Sequence, residues 1–578
     1  MAFRRIGSAV ALATALTIAA PLVASAQGRG GGPPLFTPAA DSKDAKSVLY
    51  NWASHMGMLR GVEEHELAVS LEYQGNGTMQ VEGQPCTLKK YRVSTNYQAP
   101  GQRTQIECTR PNGQTFSNVE VVNGLYAWNE DIPGAEIVAN KGKATPTPAA
   151  VQERLIRLWA GPQGAVKAAM AGAGIGLMAM DRDLGRLLQA GTATIGQTSV
   201  AWEGSKPVVT YPIPGVAGAT AKATLDNRYM AERVVVSNGS TTTEFVYGDY
   251  QDWNNPLNKI EAYYAGKITE RRGGTVARDL TTVETETGSV YVVMPVPASV
   301  RAAITPGQPA PPPTMFPSDR AVKLESKEPT PRMANGKPDL SGNWGGGGMN
   351  WRYGNRRCGP TQIEGCSPQW NQTMDFEFEA PSRFGPNRPL YKPEHWDKVI
   401  ALDMWTNKED PVMTCQPLGI PRQGSPRRII QSANDIVFFY SQYADGGGGQ
   451  AEFRIVPIDG RKHDERQTRT TTYMGYTVGS WEGDTLVLDS IAFNDFTWLS
   501  RGGFFHSDEM RVVERFTRQG NEILYEVTVQ DPVVLVEPFV MTPRIMRLNA
   551  NENAGLLPER GNCDVAYEKD AIETQIRH

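Results

Sequence analysis

The stretch from Arg454 to Asp531 constrains the fold most. It reads RIVPIDGRKHDE, then YTVGSWEGDTLVLDSIAFNDFTWL, then FFHSDEMRVVERFTRQGNEILYEVTVQDP, short β-branched and aromatic runs that turn residues separate at roughly hairpin spacing. Asp459-Gly460, Glu482-Gly483-Asp484 and Gln519-Gly520-Asn521 supply the positive-φ or Asx-type positions that tight reversals need. The stretch is therefore expected to be an antiparallel β-meander. It holds His463 and His506, two of the chain's six histidines.

The rest of the chain extends this pattern. Residues 1–26 carry Arg4 and Arg5, an apolar run from Val10 to Val23 and Ala24-Ser25-Ala26, the layout of a secretory signal peptide. No cysteine sits at the new N-terminus for lipid attachment, and no later apolar run approaches the roughly 18 residues a membrane span needs. The mature protein is expected in the periplasm or secreted, without a membrane span. Residues 27–40 are a Gly- and Pro-rich, disordered start. Asp41 to Leu59 reads as an amphipathic helix capped by Asp41 or Ser42. Strands HELAVSLEY, TLKKYRVSTNY, RTQIECT, TFSNVEVV and LYAWNE follow, with turns at Gly-Asn-Gly, Pro-Asn-Gly and Asn-Gly. Thr147 to Ala190 is helical apart from breaks at Gly161 and Gly172 to Gly176. A second strand series runs from Val200 to Glu286. Residues 41–302 therefore form an α+β half-barrel around helices. Residues 303–339, with TPGQPAPPPTMFP, are a Pro-rich linker. Residues 340–578 form a second, mostly antiparallel β domain.

Two resemblances sharpen this. The run ATLDNRYMAERVVVSNGSTTTEFVYGDYQDW resembles the back half of periplasmic lipoprotein-carrier and sensor domains of the LolA-like fold. That resemblance implies an open barrel that holds acyl chains. Gly342-Asn343-Trp344 resembles the GxW that begins the first strand of lipocalin-like barrels, which implies a Trp plugging the closed end. DLSGNW, DPVMTCQPLGIPR, IDGRKH, YTVGSWEGDTLVLDS, VVERF and VQDP resemble the shared pieces of a group of secreted bacterial proteins of uncharacterised function. Gly345 to Gly348 and the FFHSDE segment depart from that group's pattern.

Charges nearly cancel, 58 Lys plus Arg against 62 Asp plus Glu, so composition does not point to nucleic acid as partner. Six cysteines in an exported chain suggest disulfides, with Cys86–Cys108, Cys358–Cys366 and Cys415–Cys563 preferred among about 15 pairing schemes. The cysteines lack the CxxC spacing of a zinc site.

Strand alternation places Val487, Asp489 and Ile491 on one face, and Met510, Val512, Glu514 and Phe516 on one face. Two carboxyl groups are thus expected among apolar neighbours, where each must be paired, hydrogen-bonded or protonated. One reading pairs them with arginines such as Arg427, Arg428 or Arg454. The sharper one makes Glu514 or Asp489 an acid/base partner of His463 or His506 at a barrel mouth. A metal held by His463, His506 and Asp508 or Glu465 lacks HxH or HExxH spacing. There is no GxSxG elbow, no GxGxxG after a strand and no GxxxxGK[ST], so no cofactor is expected. Seven tryptophans follow the linker: Trp344, Trp351, Trp370, Trp396, Trp405, Trp481 and Trp498. Most are expected in the core; Trp344, Trp481 and Trp498, with Arg454, are candidates to line a pocket for a lipophilic or aromatic small molecule. The expected function is binding such a molecule, with a lyase, isomerase or hydrolase using a His and carboxyl pair as the alternative.

Overall fold

The computed structural model describes residues 38–39, 41–58, 70–97, 101–173, 197–253, 263–288, 291–303, 323–345, 388–404, 409–411, 416–443, 449–500, 502–541 and 543–551. Residues 1–26, read above as a signal peptide, and Cys358, Cys366, Cys415, Cys563, Trp351, Trp370 and Trp405 lie outside the described residues.

The first helix, α1 (Ala45–His55), is capped by Asp44, which accepts from the Ser47 amide at 3.0 Å. The cap is thus not Asp41 or Ser42; Ser42 instead donates its hydroxyl to Asp44. Strands β1 (Ser70–Val81), β2 (Gln84–Asn96), β3 (Gly101–Thr109), β4 (Thr115–Asn123), β5 (Tyr126–Glu130) and β6 (Ala144–Pro146) form a meander. Helices α2 (Val151–Ala160) and α3 (Pro162–Gly172), broken at Gly161, lead to a second meander. It comprises β7 (Ser199–Glu203), β8 (Lys206–Pro212), β9 (Thr220–Leu225), β10 (Ala231–Asn238), β11 (Thr241–Asp252), β12 (Tyr263–Arg272) and β13 (Thr275–Gly288). Pairing of β1 with β13 welds the two meanders into one 13-stranded sheet running from β6 to β7.

This sheet curls over the three helices. Trp52, Trp159, Tyr97 and Tyr211 are fully buried between the helices and the sheet, and cutting a Trp there to Ala costs about 3–5 kcal/mol. Cys86 and Cys108 are disulfide-bonded across β2 and β3, a link that oxidising compartments outside the cytoplasm preserve. Gly75-Asn76-Gly77 is no turn: β1 runs through it, and the reversal comes at Glu82-Gly83, both at positive φ.

The far face of β4 and β5 has its own apolar cover. Val121 and Trp128 pack there against Val292, Met294, Val296 and Val300, the last from the short helix α4 (Ala298–Ala302). After the linker come β14 (Gly342–Gly345), a Pro393–His395 turn and α5 (Trp396–Met404). The second sheet adds β15 (Arg428–Gln431), β16 (Asp435–Tyr443), β17 (Gly449–Pro457), β18 (Tyr476–Glu482), β19 (Thr485–Ile491), β20 (Arg511–Gln519), β21 (Glu522–Gln530), β22 (Phe539–Val540) and β23 (Arg544–Leu548). Its order is β17-β16-β15-β14-β23-β21-β20-β19-β18, with β22 on β21. The outermost strands nearly meet: Gly460 donates its amide to the Gly479 carbonyl at 3.1 Å. The result is mostly antiparallel β throughout, one nearly closed barrel and one larger open sheet, with few helices.

The described end of the linker is not free. Glu325 and Ser326 donate backbone amides to Glu522 at 2.7 and 3.0 Å, and Arg332 holds Asp484 through two bonds of 2.9 and 2.6 Å. Residues 323–332 therefore strap across the β18–β19 and β20–β21 hairpin tips.

Candidate functional site

Glu514 faces the barrel interior, as alternation along β20 requires, and is fully buried. Arg454 reaches it from β17 with two bonds of 2.7 and 3.0 Å, and the Tyr525 hydroxyl donates at 2.8 Å. Arg454 also donates to the Tyr440 hydroxyl at 2.7 Å, and its guanidinium lies 5.2 Å from the Phe438 ring centre. Burial opposes the Arg454 charge, but Glu514 outweighs it and holds the guanidinium above its usual range. Both oxygens of Glu514 are thus committed. A general base needs a free lone pair and an open approach, and Phe438, Phe516, Tyr440 and Tyr525 fill the surroundings.

Asp489 lies on the other side of the wall. Leu486, Leu488 and Ser490 point inward from β19, so Asp489 faces outward, opposite to the expectation. Arg511 clamps both its oxygens at 2.6 and 3.0 Å, and His463 Nε2 approaches at 3.3 Å. A His and carboxyl contact therefore exists, on the outer surface.

His506 is buried and separate from both carboxyl groups. Its Nδ1 sits 2.9 Å from the Ser507 carbonyl and its Nε2 2.8 Å from the Thr497 hydroxyl. A carbonyl only accepts, so Nδ1 carries the proton and Nε2 accepts from Thr497. Burial pushes the imidazole pKa down, which keeps it neutral. The neighbouring Ser507 binds Asp531 through its amide and hydroxyl, at 2.7 and 2.9 Å, and Asp531 also accepts from the Val533 and Val534 amides. This links FFHSDE to VQDP as a structural staple.

The tryptophans divide in the same way. Trp344 is buried beneath the Arg518 guanidinium, 5.0 Å from its ring centre, and donates to the Leu340 carbonyl. Trp498 is buried and bridges Phe505. Trp481 is half-buried under Lys337.

Trp396, by contrast, borders open space. A cleft of about 380 Å³ lies between the far face of β2 and β3 and the start of α5, a size that suits a small molecule. Glu72, Lys90, Arg92, Ser94, Arg103 and Gln105 make its floor; Ile132, Pro133, Val293, Pro393, Trp396 and Ile400 supply most of its apolar wall. Arg103 donates to Glu130 at 3.1 Å and to the Val293 carbonyl at 3.1 Å, with its guanidinium 4.6 Å from the Trp396 ring centre. Arg92 bridges Glu72 and Asp397 at 2.8 and 2.7 Å, Ser94 donates to Glu72, and Lys141 meets Glu394 at 3.0 Å. Burial again opposes the Arg92 charge, but its bond to Asp397 and the nearby Glu72 keep the guanidinium above its usual range. With the Arg103–Glu130 pair set aside, Lys90, Arg92 and Lys141 balance Glu72, Glu394 and Asp397. Gln105 is nine-tenths buried, and its amide makes no hydrogen bond to any described residue.

The cleft lining contains no histidine or cysteine, and its two hydroxyl groups are engaged, Ser94 donating to Glu72 and Tyr291 to the Pro389 carbonyl. Sequence reasoning missed the cleft because floor and wall come from segments about 300 residues apart; only the concentration of tryptophans after the linker pointed near it. Among the described residues, no group of three or more His, Cys, Asp or Glu side chains could hold a metal ion, and no helix is long and apolar enough to cross a membrane.

No family model matches the chain, and no curated protein matches it. Among solved structures, it is similar to the LolA superfamily protein NE2245 from Nitrosomonas europaea, at 8% identity and a TM-score of 0.22. That likeness covers 43% of this chain and 94% of the other.

Proposed function

We propose that this chain is an exported protein, periplasmic or secreted, that binds a lipophilic or aromatic small molecule without transforming it. The site is the cleft between β2–β3 and α5 rather than the interior of the barrel. One observation carries the reading: the cleft has an aromatic and apolar wall, and the charges of its lining as a whole cancel. An uncharged guest with an apolar or flat body fits such a wall, and Lys90 and Gln105 remain to orient its polar end. The alternative, a lyase, isomerase or hydrolase, has the His463–Asp489 contact in its favour. That contact faces outward, and Arg511 already holds both carboxyl oxygens.

Native mass spectrometry of the folded protein recovered from outside the cytoplasm tests the reading. A guest is expected to co-purify, and Trp396→Ala is expected to lose it. A folded wild-type sample that carries no guest, and whose melting temperature no sterol, terpenoid or phenolic shifts, would overturn the proposal.

A further inference from the structure

The outer face of β15, β16 and β17 is greasy where it should be wet. Ile430, Phe453 and Ile455 are 45, 64 and 62% exposed. Register places them side by side: Ile430, Val437 and Ile455 form one cross-strand row, and Arg428, Phe439 and Phe453 form the next. The Phe439 and Phe453 ring centres are 6.4 Å apart. Scattered exposed apolar residues need no explanation, but a contiguous patch of this kind on an otherwise polar surface marks a contact site.

Its charged surroundings narrow the partner. Arg427 and Arg428 are exposed at one end. At the other, where Asp435 pairs with Pro457, the chain continues into Asp459, Arg461 and Lys462. Asp459 and Arg461 are bonded to each other, which leaves Arg427, Arg428 and Lys462 against Asp435. Exposed aromatic and aliphatic side chains ringed by a net excess of Arg and Lys match the interface of an anionic bilayer: the apolar groups enter the acyl boundary while the cations meet lipid phosphates.

We infer that this face is a peripheral docking surface for an anionic lipid membrane. The inference is independent of the cleft, which lies against the other sheet. The contact is reversible and superficial, because three protruding side chains do not anchor a protein as a spanning segment does.

The test is co-sedimentation of the full chain with vesicles of phosphatidylcholine alone or mixed with phosphatidylglycerol. The wild type is expected to sediment with the mixed vesicles, and less well as salt is raised. The double variant Phe453→Ser, Ile455→Ser is expected to weaken binding at least tenfold. Arg427→Glu with Arg428→Glu is expected to abolish the preference for the anionic mixture. All four positions are exposed, and far-ultraviolet circular dichroism checks that each variant folds. Absence of sedimentation with either vesicle overturns the inference. So does a dimer, seen in sedimentation velocity, that the serine variant dissociates, since that assigns the face to a second copy of this chain.

Discussion

Single residues decide how the interior tolerates charge. Arg454 and Glu514 are both buried and satisfy each other, so removing one strands the other. Arg454→Met is expected to cost about 3–5 kcal/mol in denaturant unfolding, while Arg454→Met combined with Glu514→Leu costs much less. Lys167 on α3 is different: it lies under the Tyr97 ring, 5.4 Å from its centre, and burial alone pushes its ammonium pKa down from 10.5 to about 7. Between those values the unfolded chain binds the proton and the native one does not, so stability rises as pH climbs from 7 toward 10.5. Below pH 7 the penalty is present in full. Lys167→Met should therefore stabilise the protein at pH 7, by on the order of 3 kcal/mol, and flatten the alkaline part of a melting-temperature profile. Alternation along β20 was enough to place Glu514 inside; the sequence left its partner open among Arg427, Arg428 and Arg454, and Arg454 is the one that meets it. The same alternation misplaced Asp489, because Val487 and Ile491 are as apolar as the inward Leu486 and Leu488; parity alone does not say which set faces in.

At the level of the element, glycine has two uses that look alike in the sequence. Gly83 ends β1 in a tight reversal at φ +76°, where an added Cβ would meet nothing within 4 Å. Gly77 lies inside β1 at φ +133°, where a Cβ would stand 2.0 Å from the Asp279 carbonyl oxygen of β13. Gly83→Ala should cost about 1 kcal/mol. Gly77→Ala should cost several times more and disturb the β1–β13 seam, which amide exchange across Leu280 and Asp279 would reveal. If both substitutions cost the same, the seam is not as tight as described. Hairpin turns at Asn112-Gly113, Gly483-Asp484 and Gly520-Asn521 were legible because local backbone preference and register agree there. Gly75-Asn76-Gly77 misled for the opposite reason: the demand for glycine comes from a strand about 200 residues away.

For the whole molecule, the proline-rich stretch reads as a boundary, yet contacts cross it. Tyr291, before the linker, donates its hydroxyl to the Pro389 carbonyl at 2.7 Å and accepts from the Tyr391 amide at 2.9 Å. Tyr291→Phe should leave both backbone groups unsatisfied in a buried place and cost about 1–3 kcal/mol. Calorimetry is expected to show the loss; an unchanged melting temperature would mean that the two sheets do not lean on this contact. Composition suggests a linker over 303–339, since proline density is local. It could not announce that α5, beyond the linker, returns to roof the outer face of β2 and β3, because that depends on which distant surfaces fit. One result of that return concerns a break in the backbone. If a protease severed the chain between residues 303 and 323, each fragment would keep a raw surface cut to the other's shape, so the pieces should stay clasped and travel through a sizing column as one particle.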